Sequence, residues 1–102
     1  MGHYFENDAT LKSDKRKTNI RIRNLEYTFY TDSGVFAKKG LDLGTHILLD
    51  TIPLEKWSGD ILDLGCGYGP IGICIKKERP IVTVDMSDVN ERALSLALEN
   101  AK

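Results

Sequence analysis

Four glycines fall within eight residues at Gly65, Gly67, Gly69 and Gly72, in the run Asp63-Leu64-Gly65-Cys66-Gly67-Tyr68-Gly69-Pro70-Ile71-Gly72. Without a Cβ, glycine lets the backbone turn sharply and press against a ligand. Pro70 suits the first position of a helix, and a helix start presents unbonded amides and partial positive charge. A loop of this kind accepts a carboxylate or a phosphate. Asp63, two positions before the first glycine, adds a carboxylate that can sit beside a ligand ammonium. Cys66 and Tyr68 stand between the glycines and contribute their backbone amides whatever their side chains do. As a nucleophile Cys66 lacks a basic partner after it, because His3 and His46 both lie upstream.

Two ligand classes fit such a loop. A group with both a carboxylate and an ammonium is the methionine part of S-adenosylmethionine. The rival is a dinucleotide: Gly67, Gly69 and Gly72 also spell G-x-G-x-x-G, with an acid about 20 residues on. Asp63 favours the methyl donor, as does the long β-rich segment before the loop, since dinucleotide folds often begin with the strand that feeds it. A nicotinamide-dependent oxidoreductase domain is therefore the alternative reading.

The loop needs a strand before it and a helix after it. Asp60 to Leu64 reads as a short strand covered on both faces. A helix runs from Pro70 to about Glu78 and is ended by Pro80. Ile81 to Met86 reads as a second apolar strand. A second helix begins near Asp88 and carries Ala93, Leu94, Ala97, Leu98 and Ala101 at helical spacing. Upstream, Asn19 to Asp32 alternates with period 2 as strand, turn and strand, with Asn24 in the turn. A short helix is expected from about Thr45, as N-cap, to Ile52, stopped by Pro53. Residues 1–18 read as irregular, and 19–102 as one partial domain: α/β, the opening of a parallel sheet behind an N-terminal β-hairpin.

The run 63–72 resembles the first motif of class I S-adenosylmethionine-dependent methyltransferases. More narrowly it resembles their small-domain family, which includes the 16S ribosomal RNA guanine-N2 methyltransferases. His3-Tyr4-Phe5, Gly34-Val35-Phe36, Leu41-Asp42-Leu43-Gly44-Thr45 and Asp88-Val89-Asn90-Glu91-Arg92-Ala93 resemble the same family in the same order. The resemblance implies a truncated Rossmann-like methyltransferase fold and S-adenosylmethionine as cofactor. It implies binding through Asp63, Gly65, Cys66, Gly67, Tyr68 and Gly69. It also implies an acid on the ribose hydroxyls, a task that suits a carboxylate because both of its oxygens accept. Asp88 takes that position in the motif; Asp85, three residues earlier, is the alternative. Asp88 and Glu91 also have the spacing of a capping box. Phe36 and Thr45 line the cofactor cavity by the same resemblance, or else pack and cap. The family's Asn-Pro-Pro motif is absent: the prolines are Pro53, Pro70 and Pro80. No catalytic residue is assigned, and the chain is expected to be a fragment that does not methylate alone. The strand at Asp60–Leu64 would then have an open edge, a site for self-association.

Charge and composition set the remaining bounds. An apolar content of 41% is too high for a disordered chain. No apolar run approaches the roughly 20 residues that cross a bilayer, and the N-terminus has no signal-peptide pattern. Cys66 and Cys74 lack zinc spacing and read as reduced thiols of a cytoplasmic protein; no metal is expected. Residues 12–23 hold Lys12, Lys15, Arg16, Lys17, Arg21 and Arg23 against one acid, Asp14, in a chain of net charge −1. That asymmetry marks an RNA contact or an ordinary solvated strand. A non-catalytic RNA-binding module is the third reading.

Overall fold

The N-terminal hairpin is built on period-2 alternation. In a computed structural model describing residues 12–33, 35 and 43–102, β1 (Arg16–Ile22) pairs antiparallel with β2 (Leu25–Thr31). Strand β1 begins at Arg16, three residues before the expected Asn19. Residues 1–11 lie outside the described part, and with them His3, Tyr4 and Phe5. Ile20, Ile22, Tyr27 and Phe29 point inward and are buried. Tyr27 and Phe29 stack with ring centroids 5.7 Å apart. Arg23 and Asn24 form the two-residue turn, both with positive φ (50° and 66°), the turn hand that matches strand twist. Asn24 tolerates this conformation and Arg23 does so less readily. Arg23 is held by its guanidinium instead: Nη1 donates to the carbonyls of Leu49 (2.8 Å) and Ile52 (3.3 Å). Those carbonyls close α1 (Leu43–Thr51) and the turn after it.

Helix α1 starts earlier than expected, so Thr45 lies inside it and is not its cap. A short 3-10 turn, Leu54–Lys56, follows Pro53. The parallel unit then runs β3 (Asp60–Leu64), α2 (Pro70–Glu78), β4 (Thr83–Ser87) and α3 (Glu91–Asn100). Strands β3 and β4 pair in parallel, with Leu62 beside Asp85 and Leu64 beside Ser87. Strand β4 begins two residues later than expected because Ile81 belongs to the turn after α2, where it is exposed.

Two clusters form the core. Ile20, Ile22, Tyr27, Phe29, Leu49, Tyr68, Cys74 and Leu96 join the hairpin to the helices. Leu54, Ile75 and Val82 pack below. Leu96 enters the core from α3, whereas Leu98, expected inside, is exposed. Coverage of β3 is also one-sided, contrary to the expectation of two covered faces. Asp63 is buried toward α2, while Leu62 and Leu64 on the opposite face are 62% and 78% exposed. The helices α2 and α3 both lie over one face, and no described element covers the other.

Candidate cofactor site

The loop between β3 and α2 is shaped by three glycines with positive φ: Gly65 (67°), Gly67 (60°) and Gly69 (100°). Gly69 is also the N-cap of α2, with Pro70 in the first turn as expected. At Gly65 and Gly67 a Cβ would meet nothing within 4 Å, so those positions face open space. Gly72 serves a different purpose. A Cβ there would stand 3.0 Å from Asp63 Oδ2 and 3.1 Å from both Met86 and Val84, so its absence lets α2 press onto the sheet.

The loop is tied to the end of β4, to the Asp88 side chain and to itself. The Cys66 amide donates to Ser87 O (2.9 Å) and the Gly69 amide to Cys66 O (3.0 Å). The Gly67 amide donates to Asp88 Oδ2 at 2.8 Å. These three amides are engaged, which corrects the expectation of a row of open donors. A loop that bends back within five residues finds acceptors for its inner amides in itself and in the end of the neighbouring strand, because buried amides rarely go unpaired.

The acids divide clearly. Asp63 lies beneath the loop, its Oδ2 accepting from the Gly72 amide at 3.0 Å. Asp88, just past β4, accepts from Gly67 through Oδ2 and from the Asn90 amide through Oδ1 (2.8 Å each). Each of its oxygens keeps a further lone pair for a ligand hydroxyl. Asp88 does not cap α3. Asn90 does, its side chain accepting from the Ala93 amide at 3.0 Å. The cap thus stands two residues later than the Asp88–Glu91 spacing suggested, and it is a single cap, because its N3 residue is Ala93. Asp85 pairs in register with Leu62, shares its exposed face and stands apart from the loop. Strand alternation separates the two candidate ribose acids, and Asp88 is the one beside the glycines.

Burial pushes the Asp63 carboxyl above the ordinary range; the Gly72 amide opposes this and the charge on Asp88 adds to it. A carboxylate in this position gains from a cation placed beside it. A pyrophosphate brings no cation to offset Asp63 and Asp88, whereas an amino-acid tail brings an ammonium with its carboxylate. The raised value also fixes a sign. Protonated Asp63 favours the fold at low pH, that contribution is lost as pH rises through its folded pKa, and ionised Asp63 is then a net cost. Asp63→Asn keeps an oxygen for the Gly72 amide. We expect its melting temperature at pH 7 to equal or exceed the parent's, with the advantage shrinking toward pH 4. A lower value at pH 7 in scanning calorimetry would contradict this reading of Asp63.

Cys66 is buried and its thiol is pushed up to about 11, first by burial and then by Asp63 and Asp88. It is a neutral packing group, consistent with the lack of a basic partner. Tyr68 is buried, edge-on to Phe29 with centroids 5.5 Å apart, and so ties the loop to the hairpin. Phe36 lies outside the described residues. Among the described residues no cluster of His, Cys, Asp or Glu is arranged to hold a metal ion, and no helix is long and apolar enough to cross a membrane.

Asn100 is a residue that sequence reasoning missed. Its side chain accepts from Tyr30 N (2.7 Å) and donates to Tyr30 O (3.0 Å) and Tyr68 O (2.8 Å). An asparagine in the last turn of a helix carries no signal of such reach, because its partners are distant backbone groups.

Comparison with known proteins identifies the family and the fold. The profile of the family described as "Methyltransferase small domain" matches residues 26–102. The uncharacterized protein YbxB of Bacillus subtilis (strain 168) is 45% identical over 100 residues, which cover 98% of this chain and 50% of that protein. Ribosomal RNA small subunit methyltransferase C of Haemophilus influenzae (strain PittGG) is 47% identical over 70 residues, covering 69% of this chain and 21% of that protein. Among solved structures, the T. thermophilus 16S rRNA N2 G1207 methyltransferase (RsmC), in complex with AdoMet and guanosine, superposes with a TM-score of 0.73 and 26% identity. That superposition covers 88% of this chain and 25% of the other. The chain thus spans about half, or less, of the length of the relatives it matches. Its fold is the methyltransferase fold, and the chain belongs to the Methyltransferase small domain family.

Proposed function

We propose that this chain binds S-adenosylmethionine as the cofactor-holding part of a ribosomal RNA methyltransferase directed at a guanine N2 amine. The observation that carries the reading is the convergence of Asp63 and Asp88 on one glycine loop, at the carboxyl ends of two parallel strands. When bound, S-adenosylmethionine supplies an electrophilic methyl group. Asp63 faces the ligand ammonium, Asp88 accepts from the ribose hydroxyls, and residues 65–69 shape the wall against the amino-acid tail. Gly65, Cys66, Gly67, Tyr68 and Gly69 act through backbone. The solved relative holding AdoMet and guanosine supports both the cofactor and the acceptor class. Titration with S-adenosylhomocysteine against NAD tests the assignment.

Transfer itself needs residues that hold the target amine in line with the methyl group. The 102 residues contain no Asn-Pro-Pro, so the chain alone binds and does not turn over. Incubation with labelled donor and 16S RNA should leave the RNA unlabelled; turnover would show that these residues suffice.

The RNA partner is assigned to the outward face of the hairpin. Lys17, Asn19 and Arg21 form one row on β1, across from Tyr30, Thr28 and Glu26. Lys15 and Lys17 sit 5.5 and 5.7 Å from the Tyr30 ring centroid. Arg23 faces inward to α1, Lys15 pairs with Glu99 at 2.9 Å and Arg16 with Asp14 at 2.8 Å. Lys12, Lys17 and Arg21 make no ion pair among the described residues, and of these Lys17 and Arg21 lie on the outward row of β1, placed to neutralise phosphates. Lys17→Glu with Arg21→Glu should weaken RNA binding at least tenfold at about 100 mM salt and flatten its salt dependence. Unchanged binding would remove the hairpin from the RNA interface.

Association of the chain with itself follows from the bare side of β3. Its far edge has no partner among the described residues, and Leu62 and Leu64 project beside it. Open apolar edges recruit other strands. Sedimentation should show concentration-dependent association that Leu64→Lys suppresses; a clean monomer for the parent chain would contradict this.

A further inference from the structure

Asn100 ends α3 and makes three hydrogen bonds with one side-chain amide. Two of them run to the amide and the carbonyl of Tyr30, so the side chain acts as a one-residue strand partner for β2. A carboxamide can do this because it presents donor and acceptor side by side, as a peptide group does. The third runs to the carbonyl of Tyr68, in the middle of the glycine loop. The peptide joining Tyr68 to Gly69 is thereby held at both ends: its carbonyl by Asn100, and its amide by Cys66 O at 3.0 Å.

That peptide sets the loop's shape. Gly69 follows it with φ of 100°, and the loop passes so close to α3 that a Cβ on Gly69 would lie 3.2 Å from that of Ala97, one turn before Asn100. Asp88 and the Asn90 cap stand before the start of α3, and Asn100 stands at its far end. The Tyr68 carbonyl is therefore drawn toward the end of the helix remote from Asp88. Turned the other way, its partial negative charge would face an anionic ligand group. The same side chain holds β2 along α3, and Arg92, near the helix start, reaches the Ser33 carbonyl (3.1 Å) farther along the chain.

We propose that Asn100 is a positioning residue for the cofactor loop, fixing the 68–69 peptide with its carbonyl turned away from the place the methyl donor's carboxylate takes. The inference rests on the reading of residues 65–69 as the methyl-donor site. Asn100 touches no ligand and acts through the Tyr68 carbonyl.

Calorimetric titration of the 102-residue chain with S-adenosylhomocysteine tests it, together with two variants. Asn100→Ala removes all three bonds. Asn100→Asp keeps the acceptor for the Tyr30 amide but turns an oxygen toward the Tyr68 and Tyr30 carbonyls. Both should bind at least tenfold more weakly than the parent. Leu54→Ala, a change in the second core cluster, which holds no residue of the loop, controls for stability: it should lower the melting temperature and leave affinity within twofold. Hydrogen exchange separates positioning from general loosening. In Asn100→Asp the Gly69 amide should exchange faster while the Ile75 amide, inside α2, keeps the parent rate. Affinities of both variants within twofold of the parent would overturn the inference, as would uniformly faster exchange at Gly69 and Ile75. If the parent itself fails to bind, the methyl-donor reading falls and this inference falls with it. If the parent binds and the variants match it, only the inference falls.

Discussion

Gly69→Ala is expected to cost about 2–4 kcal/mol of stability, against about 1 kcal/mol for Gly67→Ala. Both residues have positive φ, at 100° and 60°. At Gly67 the added methyl meets nothing within 4 Å, so only left-handed strain remains, roughly 1 kcal/mol. At Gly69 the methyl would stand 2.8 Å from Ile73 Cδ1, 3.2 Å from Ala97 Cβ and 3.3 Å from Ala97 Cα. The Ile73 tip can rotate away, whereas the Ala97 backbone moves only if α3 moves. Overpacking of this kind adds about 1–3 kcal/mol to the strain. For a chain of this size each kcal/mol lowers the melting temperature by roughly 4–8 °C, and a domain has only about 5–15 kcal/mol in total. Gly69→Ala should therefore melt well below the parent, and further below it than Gly67→Ala does. Urea denaturation followed by circular dichroism checks both variants, and equal losses would contradict the close approach of α3 to the loop.

Asp88→Ala should weaken S-adenosylhomocysteine binding about 100-fold or more, while Asp85→Ala should change it by about twofold at most. A hydrogen bond to a charged group contributes about 1.5–3 kcal/mol, and a vicinal diol offers two of them. Loss of about 2.7 kcal/mol corresponds to about 100-fold in affinity. The substitution also strips the Gly67 and Asn90 amides of their acceptor, which loosens the loop and the entry to α3 together. Asp85 shares the exposed face of β4 with Leu62 in register and has no such partners. Calorimetric titration of the two variants side by side decides between the acids. A larger loss from Asp85→Ala would reverse the assignment.

What the sequence made legible was local. The glycine loop with its proline marks a strand-to-helix turn because only glycine takes those φ values cheaply, and β3, the loop and α2 lie where that signal puts them. Alternation along the hairpin identified its buried face because a strand's side chains simply alternate. The errors share one cause: a residue's role was set by a partner distant in sequence. Asp88 was a reasonable cap by spacing, but Gly67 takes its carboxylate and Asn90 caps the helix. Arg23 counted as one of six basic residues, yet it turns inward to the carbonyls of α1. Leu62 and Leu64 read as doubly covered because an apolar run does not state how many layers exist to cover it. Asn100 carried no signal at all, since polar residues in a last helical turn usually face solvent.

The proposed function requires that the loop between β3 and α2 take the methyl donor and not a dinucleotide. Titration of the 102-residue chain with S-adenosylhomocysteine, with NAD in parallel, tests it most directly. Saturable 1:1 binding of S-adenosylhomocysteine, weakened by Asp88→Ala, with no heat from NAD, is the expected result. Binding of NAD, or an empty loop at saturating S-adenosylhomocysteine in a chain that is folded by circular dichroism, would contradict it.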